Sequence, residues 1–281
     1  MDKIVLELNP NYKDFKEGLL TNIGYACEKG EEFKQDYKTA YMLYSIATEH
    51  GDSMAINNLG WLYQNGFGVE KDLLKAIEYY KKAAKLGNTN AMVNLGWIYE
   101  NGLIGEINSK LAFKWYKKAA ELYDETGMFN YANCFHHGWG TRKNYTKAFS
   151  IFKELADDFD YKSAYFYVGL YYQLGHFVKK DYEKARLYFD AGALNGDAFC
   201  INQLGVLYGK GLGVKKDYNY AFDCYSRAAE LGDNLGYTNM AYYYEKGLGV
   251  KKDISKAKKY YKIAADAGEE VAIKAMKRLT K

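Results

Sequence analysis

Histidine and cysteine are the side chains of this sequence best suited to catalysis or metal binding, and both are sparse. The histidines are His50, His136, His137 and His176. Neighbouring residues on a helix point about 100° apart, so the adjacent pair His136 and His137 is poorly placed to share one metal ion. An isolated histidine such as His137 is expected to contact a partner rather than to catalyse.

The cysteines share no Cys-x-x-Cys spacing and lie far apart, at Cys27, Cys134, Cys200 and Cys224. We expect buried, reduced thiols rather than disulfides or a zinc site. The Gly-x-Gly strings, such as Gly66-Phe67-Gly68, follow no strand and recur along the chain, so they belong to loops and not to a dinucleotide site. With no P-loop, nucleophile elbow or HExxH motif, the sequence predicts no catalytic residue, metal or cofactor, and therefore a protein that is not an enzyme.

Charge and hydropathy exclude two further classes of function. The net charge is +4, from 39 basic and 35 acidic residues, which is too balanced for a nucleic-acid-binding surface. No apolar run approaches the roughly 20 residues that a membrane helix needs. The apolar run Ile4-Val5-Leu6 is broken by Glu7, so no signal peptide is predicted. We therefore expect a cytoplasmic protein, with secretion by a route that needs no signal peptide as the alternative.

An internal repeat determines where every other side chain lies. A small anchor residue recurs every 36 or 37 residues, at Gly24, Gly60, Gly96, Ala132, Gly169, Gly205 and Ala241. Six residues after each anchor stands a glycine: Gly30, Gly66, Gly102, Gly138, Gly175, Gly211 and Gly247. Sixteen after it stands an alanine: Ala40, Ala76, Ala112, Ala148, Ala185, Ala221 and Ala257. Twenty after it stands an aromatic residue: Tyr44, Tyr80, Tyr116, Phe152, Phe189, Tyr225 and Tyr261.

Each column has a physical role in a helix pair. The glycine ends a first helix, helix A, in a left-handed conformation that other residues adopt at a cost. An Asp or Asn twelve residues after the anchor, such as Asp72, then caps a second helix, helix B. The alanine lets the two backbones approach, and the aromatic ring fills the space beside them. In the second repeat we expect helix A near Ser53–Asn65 and helix B near Asp72–Leu86.

The second repeat also carries a family signature. Its string Asn58-Leu-Gly-Trp-Leu-Tyr-Gln-Asn-Gly-Phe-Gly-Val-Glu-Lys-Asp72, followed by Lys75-Ala76, Tyr79-Tyr80 and Ala83-Ala-Lys-Leu-Gly87, resembles the core of the Sel1-like repeat (SLR). SLRs are relatives of the tetratricopeptide repeat. Periodicity and resemblance together predict an all-α fold, a right-handed α-solenoid (superhelix) of seven helix-turn-helix repeats with a C-terminal capping helix.

We expect this solenoid to be a single domain over residues 1–281. The predicted repeats are 17–52, 53–88, 89–124, 125–160, 161–197, 198–233 and 234–268, with the capping helix at 269–281. The third and fourth repeats depart from the consensus, because Ile104-Gly105 and Gly140-Thr141 replace the usual loop Gly-Val. The middle of the array is therefore expected to be less regular than the rest.

One face of helix A is a candidate binding surface, which we call the helix-A stripe. It comprises the positions two before, one after and five after each anchor, which share a helical face. The resemblance implies that helix A lines the concave side of the solenoid. The predicted groove residues are Asn22, Asn58, Asn94, Asn130, Gln203, Asn239, Tyr25, Trp61, Trp97, Asn133, Asn65, Asn101 and His137.

These residue types fit an extended peptide segment of a partner protein. A carboxamide both donates and accepts, so it can bond both backbone groups of a peptide, and Trp or Tyr are common interface anchors. The resemblance implies the same class of function, because known SLR proteins are adaptors. The predicted function is thus a non-catalytic protein–protein interaction scaffold; the partner's identity stays open, and homo-oligomer formation is not indicated.

Three alternatives remain open. The asparagines could bond the neighbouring repeat and serve stacking alone, with the tryptophans as half-buried packing residues. The solenoid could be a structural or self-assembling element that binds through its convex or end surfaces. Some SLR proteins are linked to β-lactam hydrolysis, but those carry a cysteine pair in each repeat, which this chain lacks.

Overall fold

The computed structural model describes residues 18–30 and 34–279, and every regular element in these ranges is an α-helix. The helices are α1 (Leu19–Lys29), α2 (Tyr37–Glu49), α3 (Ser53–Asn65), α4 (Leu73–Lys85), α5 (Thr89–Glu100), α6 (Ser109–Ala120), α7 (Glu125–His137), α8 (Tyr145–Asp157), α9 (Lys162–Leu174), α10 (Tyr182–Leu194), α11 (Ala198–Lys210), α12 (Tyr218–Glu230), α13 (Asn234–Lys246), α14 (Ile254–Asp266) and α15 (Glu270–Leu279). The prediction of an all-α chain of helix pairs is confirmed.

The second repeat shows why each pair begins and ends where it does. Helix α3 ends at Gly66, whose φ of 75° lies in the left-handed region that glycine adopts without strain. Helix α4 begins after Asp72, whose carboxylate accepts a bond from the Lys75 backbone N–H and so caps the helix. The same two devices recur along the described chain, which is why the helices keep nearly equal lengths.

The anchor glycine and the aromatic column make the contact inside each pair. A Cβ on Gly60 would lie 2.8 Å from the Tyr80 ring and 3.2 Å from the Ala76 carbonyl oxygen. Tyr80 and Ala76 are fully buried. The ring therefore lies directly on the bare backbone of helix A, and this packing offsets the roughly 1 kcal/mol that a helical glycine costs.

The chain forms two compact units, residues 1–143 and 144–281, with the boundary in the loop of the fourth repeat. In the first unit, α1 to α7 pack consecutively, each helix on the one before it. In the second unit, consecutive packing runs from α9 to α15, and α8 packs on α9. A single solenoid domain over 1–281 stays a prediction; residues 1–17, 31–33 and 280–281 of it lie outside the described residues.

Helix α15 closes the second unit. It buries Ala272 and Ala275 against α14. Its Arg278 guanidinium binds both carboxylate oxygens of Glu245 on α13, at 3.0 Å and 2.6 Å. The bidentate pair fixes this last helix to the helix A of the final repeat.

Candidate protein-interaction surface

The helix-A stripe lies on α1, α3, α5 and α7 in the first unit and on α9, α11 and α13 in the second. An N-cap orients most of these helices; Asp52, for instance, accepts from the backbone N–H groups of Met54 and Ala55. The N-cap side chain also reaches the neighbouring repeat, because Thr21 donates to Asp52 at 2.6 Å. The part of the stripe on α3 is therefore held at a fixed rotation about its helix axis.

Aromatic side chains on the first unit's stripe differ in their exposure. Trp97 and Tyr25 keep 44% and 46% of their surface open to solvent. Trp61 is half-buried and packs against Phe67, with ring centroids 5.2 Å apart. The Lys29 ammonium lies 5.1 Å from the Tyr25 ring and 5.8 Å from the Trp61 ring, within cation–π range. Trp97 and Tyr25 are thus the open platforms, and Trp61 is partly a packing residue.

The asparagines two before the anchor take part in contacts between repeats. Asn94 donates to the Asn57 carboxamide oxygen at 3.1 Å, and Asn57 donates to Asn58 at 3.2 Å. In the second unit, Asn239 donates to the buried Asn202 at 2.9 Å. The stacking alternative is therefore part of the answer for these residues. Each carboxamide has two donors and an oxygen with two lone pairs, so one bond leaves most of its capacity unused.

The asparagines five after the anchor serve their own helices. Asn65 donates to the Trp61 carbonyl at 2.9 Å, and Asn101 donates to the Trp97 carbonyl at 2.8 Å. These carbonyls lie in the last turn, and the Trp97 carbonyl also accepts from the Asn101 backbone N–H at 3.0 Å, so the side chain adds a second bond to the helix end. Both side chains remain exposed, with their carboxamide oxygens available to a partner.

The fourth repeat places the stripe residues differently. Asn133 is buried at 9% exposure, and its carboxamide oxygen has no hydrogen-bond partner. His137 is exposed and stacks on Trp139, with centroids 4.2 Å apart and planes 18° apart. Desolvation, with the nearby Lys143 charge, lowers the pKa of His137. Because Asn133 is covered, we leave it out of the proposed contact set. Trp139 joins that set; it lies in a loop, where helical periodicity could not find it.

The remaining predicted residues are accessible. Asn22 is exposed, whereas Asn130 and Gln203 are half-buried. In the second unit, Tyr242 is 44% exposed, and the Lys246 ammonium lies 5.8 Å from its ring. Among the predicted residues, Asn133 is buried, and the others keep part of their surface open to solvent.

A polar column four residues after the anchor was missed by the sequence reasoning. In four of the seven repeats its member, a Glu or Gln, accepts a hydrogen bond from the buried tyrosine of the same repeat. The pairs are Tyr44 with Glu28 at 3.0 Å, Tyr80 with Gln64 at 2.9 Å, Tyr116 with Glu100 at 2.7 Å and Tyr261 with Glu245 at 3.2 Å. A constant offset of 16 residues between a Glu or Gln and a tyrosine was the available signal. These carboxylates are structural acceptors rather than groups that face a ligand.

The thiols are shielded in the way the sequence predicts. All four cysteines are free and buried. Burial raises the pKa of Cys134 to about 12 and that of Cys224 to about 11, so both thiols stay protonated and unreactive. No group of three His, Cys, Asp or Glu side chains among the described residues is placed to hold a metal ion.

The comparison with known families decides the assignment. The Sel1 repeat matches seven times, over residues 20–52, 53–88, 89–124, 126–158, 162–197, 198–233 and 235–269. The chain belongs to the Sel1 repeat family. Sel1 repeat proteins generally act as protein-interaction scaffolds.

Two solved structures are similar to this Sel1 repeat protein. A Sel1 repeat protein from Oxalobacter formigenes is 31% identical with a TM-score of 0.80, over 87% of this chain and 96% of that one. A protective antigen of uropathogenic Escherichia coli with an SLR fold is 26% identical with a TM-score of 0.77. That match covers 92% of this chain but 55% of the antigen, so this chain spans about half the antigen's length.

No curated protein matches the chain. Among the described residues, no helix is both long and apolar enough to cross a membrane.

Proposed function

We propose that this Sel1 repeat protein is a non-catalytic scaffold that binds an extended segment of a partner protein along its helix-A stripe. The observation that most directly supports this proposal is the exposed Trp97 ring, which lies one helical turn from Asn94 and from Asn101. Asn94 uses one donor on Asn57 and Asn101 uses one on its own helix, so both retain acceptor oxygens. A peptide that stacks on the tryptophan could bond both carboxamides through its backbone.

Exposure supports a partner rather than a packing role for this residue. Trp97 keeps 44% of a large apolar side chain open to solvent, and amphipathic aromatics of this kind anchor many interfaces. Tyr25 on α1 and Trp139 beside His137 extend the same aromatic character along the first unit. Backbone recognition with few aromatic anchors favours a binder that reads an extended chain rather than a folded surface. Residence in the cytosol belongs to the same proposal.

The test is a capture experiment from native cytosol, read by mass spectrometry. Wild type is compared with Trp97→Ala, with Asn94→Ala, and with a control carrying Leu74→Ala and Leu86→Ala. The two leucines are exposed at 68% and 56% on or beside helix B, off the stripe. We expect a partner that Trp97→Ala loses and the control retains. Circular dichroism of each variant confirms that the helices are intact.

A synthetic peptide from the captured partner then gives the affinity by fluorescence anisotropy. Loss of the Trp97 anchor should weaken binding at least about 30-fold, as expected for a hot-spot residue worth about 2 kcal/mol. Asn94→Ala separates the two roles of the amide, because a pure stacking role lowers the melting temperature and leaves peptide affinity unchanged. Identical partners for wild type and Trp97→Ala would overturn the proposal and direct attention to self-association, measured by light scattering.

A further inference from the structure

Helix B carries a second feature that recurs, because four of the seven repeats have an aromatic residue nineteen residues after the anchor. These residues are Tyr79, Trp115, Tyr188 and Tyr260, whereas the first and fourth repeats have Leu43 and Ile151 there. In the second and third repeats a lysine three residues further on covers the ring. Lys82 lies 5.3 Å from the Tyr79 ring and Lys118 lies 4.6 Å from the Trp115 ring. An aromatic ring beneath a cation is thus a recurrent unit of this protein.

The sixth repeat keeps the cation and lacks the ring. Cys224 stands at the aromatic position and Arg227 stands at the lysine position. A pocket of about 300 Å³ opens there, between α10, α11 and α12. We call it the Cys224 pocket; it is lined by Ala193, Leu194, Ile201, Leu204, Cys224 and Arg227, among others.

The walls of the Cys224 pocket match the surroundings of a ring elsewhere in the chain. Trp115 of the third repeat packs on the buried cluster that contains Ala84, Met92 and Leu95. These are the counterparts, 109 residues earlier, of Ala193, Ile201 and Leu204. The pocket therefore corresponds to the site that Trp115 fills in the third repeat, but here no aromatic side chain fills it. It has an apolar floor and a cation at its edge.

We propose that the Cys224 pocket binds an aromatic side chain of a partner protein, with the ring against Cys224 and beneath Arg227. A neutral thiol makes favourable contacts with an aromatic ring, and Cys224 stays neutral in its buried position. Asp190 lines the pocket but pairs with Arg186, which leaves Arg227 as the cation for the incoming ring.

The rim identifies a polypeptide as the source of the ring. Leu194 is 90% exposed at the edge of the pocket. The equivalent positions of the other repeats carry Glu49, Lys85, Glu121, Asp157, Glu230 and Asp266. Leu187, two helical turns earlier on α10, is 53% exposed on the same face. Two exposed leucines beside a ring-sized pocket provide apolar contacts for the residues that flank an aromatic side chain in a chain.

The proposal concerns helix B and the pocket between α10 and α12, so it is independent of binding along the helix-A stripe. The first experiment uses N-acetyl-tryptophanamide as the probe and N-acetyl-leucinamide as the apolar control. Methyl-labelled Ile201 and Leu204, both buried in the pocket wall, report binding by NMR. We expect saturable shifts with the tryptophan probe, and at least about tenfold weaker binding of the leucine control.

Four variants sharpen this result. Cys224→Trp copies Trp115 of the third repeat and should abolish probe binding without lowering the melting temperature. Cys224→Leu, which copies Leu43 of the first repeat, serves if the larger ring does not fit. Arg227→Gln should weaken binding about threefold, as expected for a partly exposed cation–π contact. Lys118→Gln, which changes the matched cation over an occupied site, should leave probe affinity unchanged.

A peptide library selected on wild type, with counter-selection on Cys224→Trp, tests the source of the ring. Enrichment of peptides with an aromatic residue between apolar residues, and its loss in Leu194→Ser, supports a polypeptide partner. Tight binding of a free aromatic molecule such as indole without any peptide enrichment would overturn the polypeptide assignment. Equal probe binding to wild type and to both Cys224 variants would overturn the pocket itself.

Discussion

The third and fifth repeats have the same packing but different polar partners inside it. In each, an aromatic ring lies on an anchor glycine: Tyr116 on Gly96 and Phe189 on Gly169, with both rings buried. The Tyr116 hydroxyl donates to Glu100, whereas Phe189 has no hydroxyl and the Gln173 carboxamide oxygen is buried without a partner. The shape of a repeat therefore depends on sterics, and the hydrogen bond adds to a geometry that already exists.

The sixth repeat shows a third arrangement of the same site. Tyr225 keeps its hydroxyl, but the residue four after the anchor is Gly209. The Tyr243 hydroxyl, from the next repeat, occupies the space where a Gly209 Cβ would stand, only 2.1 Å away. The Tyr243 ring packs edge-on against the Tyr225 ring, with centroids 5.0 Å apart and planes 73° apart. A partner from the neighbouring repeat thus replaces the missing side chain.

The largest predicted effect comes from placing the residue type of other repeats at Gly209. Gly209→Gln introduces the residue type of Gln64 and Gln173, yet its side chain would overlap the Tyr243 hydroxyl. We expect the free energy of unfolding to fall by about 3 kcal/mol, the upper end of the usual cost of overpacking. Urea denaturation followed by circular dichroism measures it.

The double variant Gly209→Gln with Tyr243→Leu tests the cause. Leucine is the residue of Leu62 and Leu207 at the equivalent position. Removing the intruding ring lets the introduced glutamine bond Tyr225, so the double variant should be more stable than Gly209→Gln alone. A double variant that is no better would show that the clash was not the reason for the loss.

The next effect concerns the only member of the polar column with a described arginine partner, Glu245. The bond from Arg278, together with Lys246, holds the pKa of Glu245 at about 2, below its ordinary value of 4.5. A lowered folded-state pKa stabilises the fold above pH 4.5, and that stabilisation is lost as the pH falls toward 2. Arg278→Ala should lower the free energy of unfolding at neutral pH, because it removes two charged hydrogen bonds from the buried Glu245 carboxylate.

The dependence of stability on acid pH gives the sharper test of the Arg278–Glu245 pair. Arg278→Ala should flatten the fall in stability between pH 4.5 and pH 2, whereas Lys274→Ala should not, because its ion pair with Glu270 is exposed on both sides. A wild-type slope that persists in Arg278→Ala would contradict the assigned role of Glu245.

A smaller loss of stability is expected when the third repeat, whose Tyr116–Glu100 hydrogen bond is intact, is changed to resemble the fifth repeat. Tyr116→Phe keeps the ring on Gly96 and removes the donor to Glu100. We expect a loss of about 1 kcal/mol in the free energy of unfolding, the typical net value of one hydrogen bond. Tyr25→Phe, which changes an exposed hydroxyl, is the control and should be silent.

The structural features that recur from repeat to repeat could be predicted from the sequence, and those that do not recur could not. Helix pairs recur in every repeat, and caps and the anchor contact recur in most of them, so a column such as Ala76 and Tyr80 predicts them directly. The helix-A stripe was predictable as a face, because helical spacing alone defines it. Its exposure was not: Asn133 is covered while Trp97 is open, although both occupy the same column. Side-chain burial depends on neighbouring repeats and loops, which periodicity does not contain.

The Cys224 pocket and the Gly209 exception illustrate the same limit. At each of these two positions the residue differs from the consensus of its column. The structural effect of such a difference depends on the surrounding residues, which the column does not show. Cys224 could have been compensated by a larger neighbour, as Gly209 is by Tyr243, but the pocket shows that it is not. Columns therefore predict the fold, whereas uncompensated departures from them indicate the candidate sites.

The smallest predicted effect is a gain, and it turns the fifth repeat into a copy of the second. Phe189→Tyr places a hydroxyl opposite the unpartnered Gln173 oxygen, as Tyr80 does with Gln64 at 2.9 Å. The added bond should raise the free energy of unfolding by about 1 kcal/mol, because a buried acceptor that now lacks a donor gains one. The control is the same change made with Gln173→Leu, where the hydroxyl has no acceptor and stability should fall. A loss in both backgrounds would mean that the fifth repeat has closed around its phenylalanine, and that the two repeats differ in backbone position as well as in hydrogen bonding.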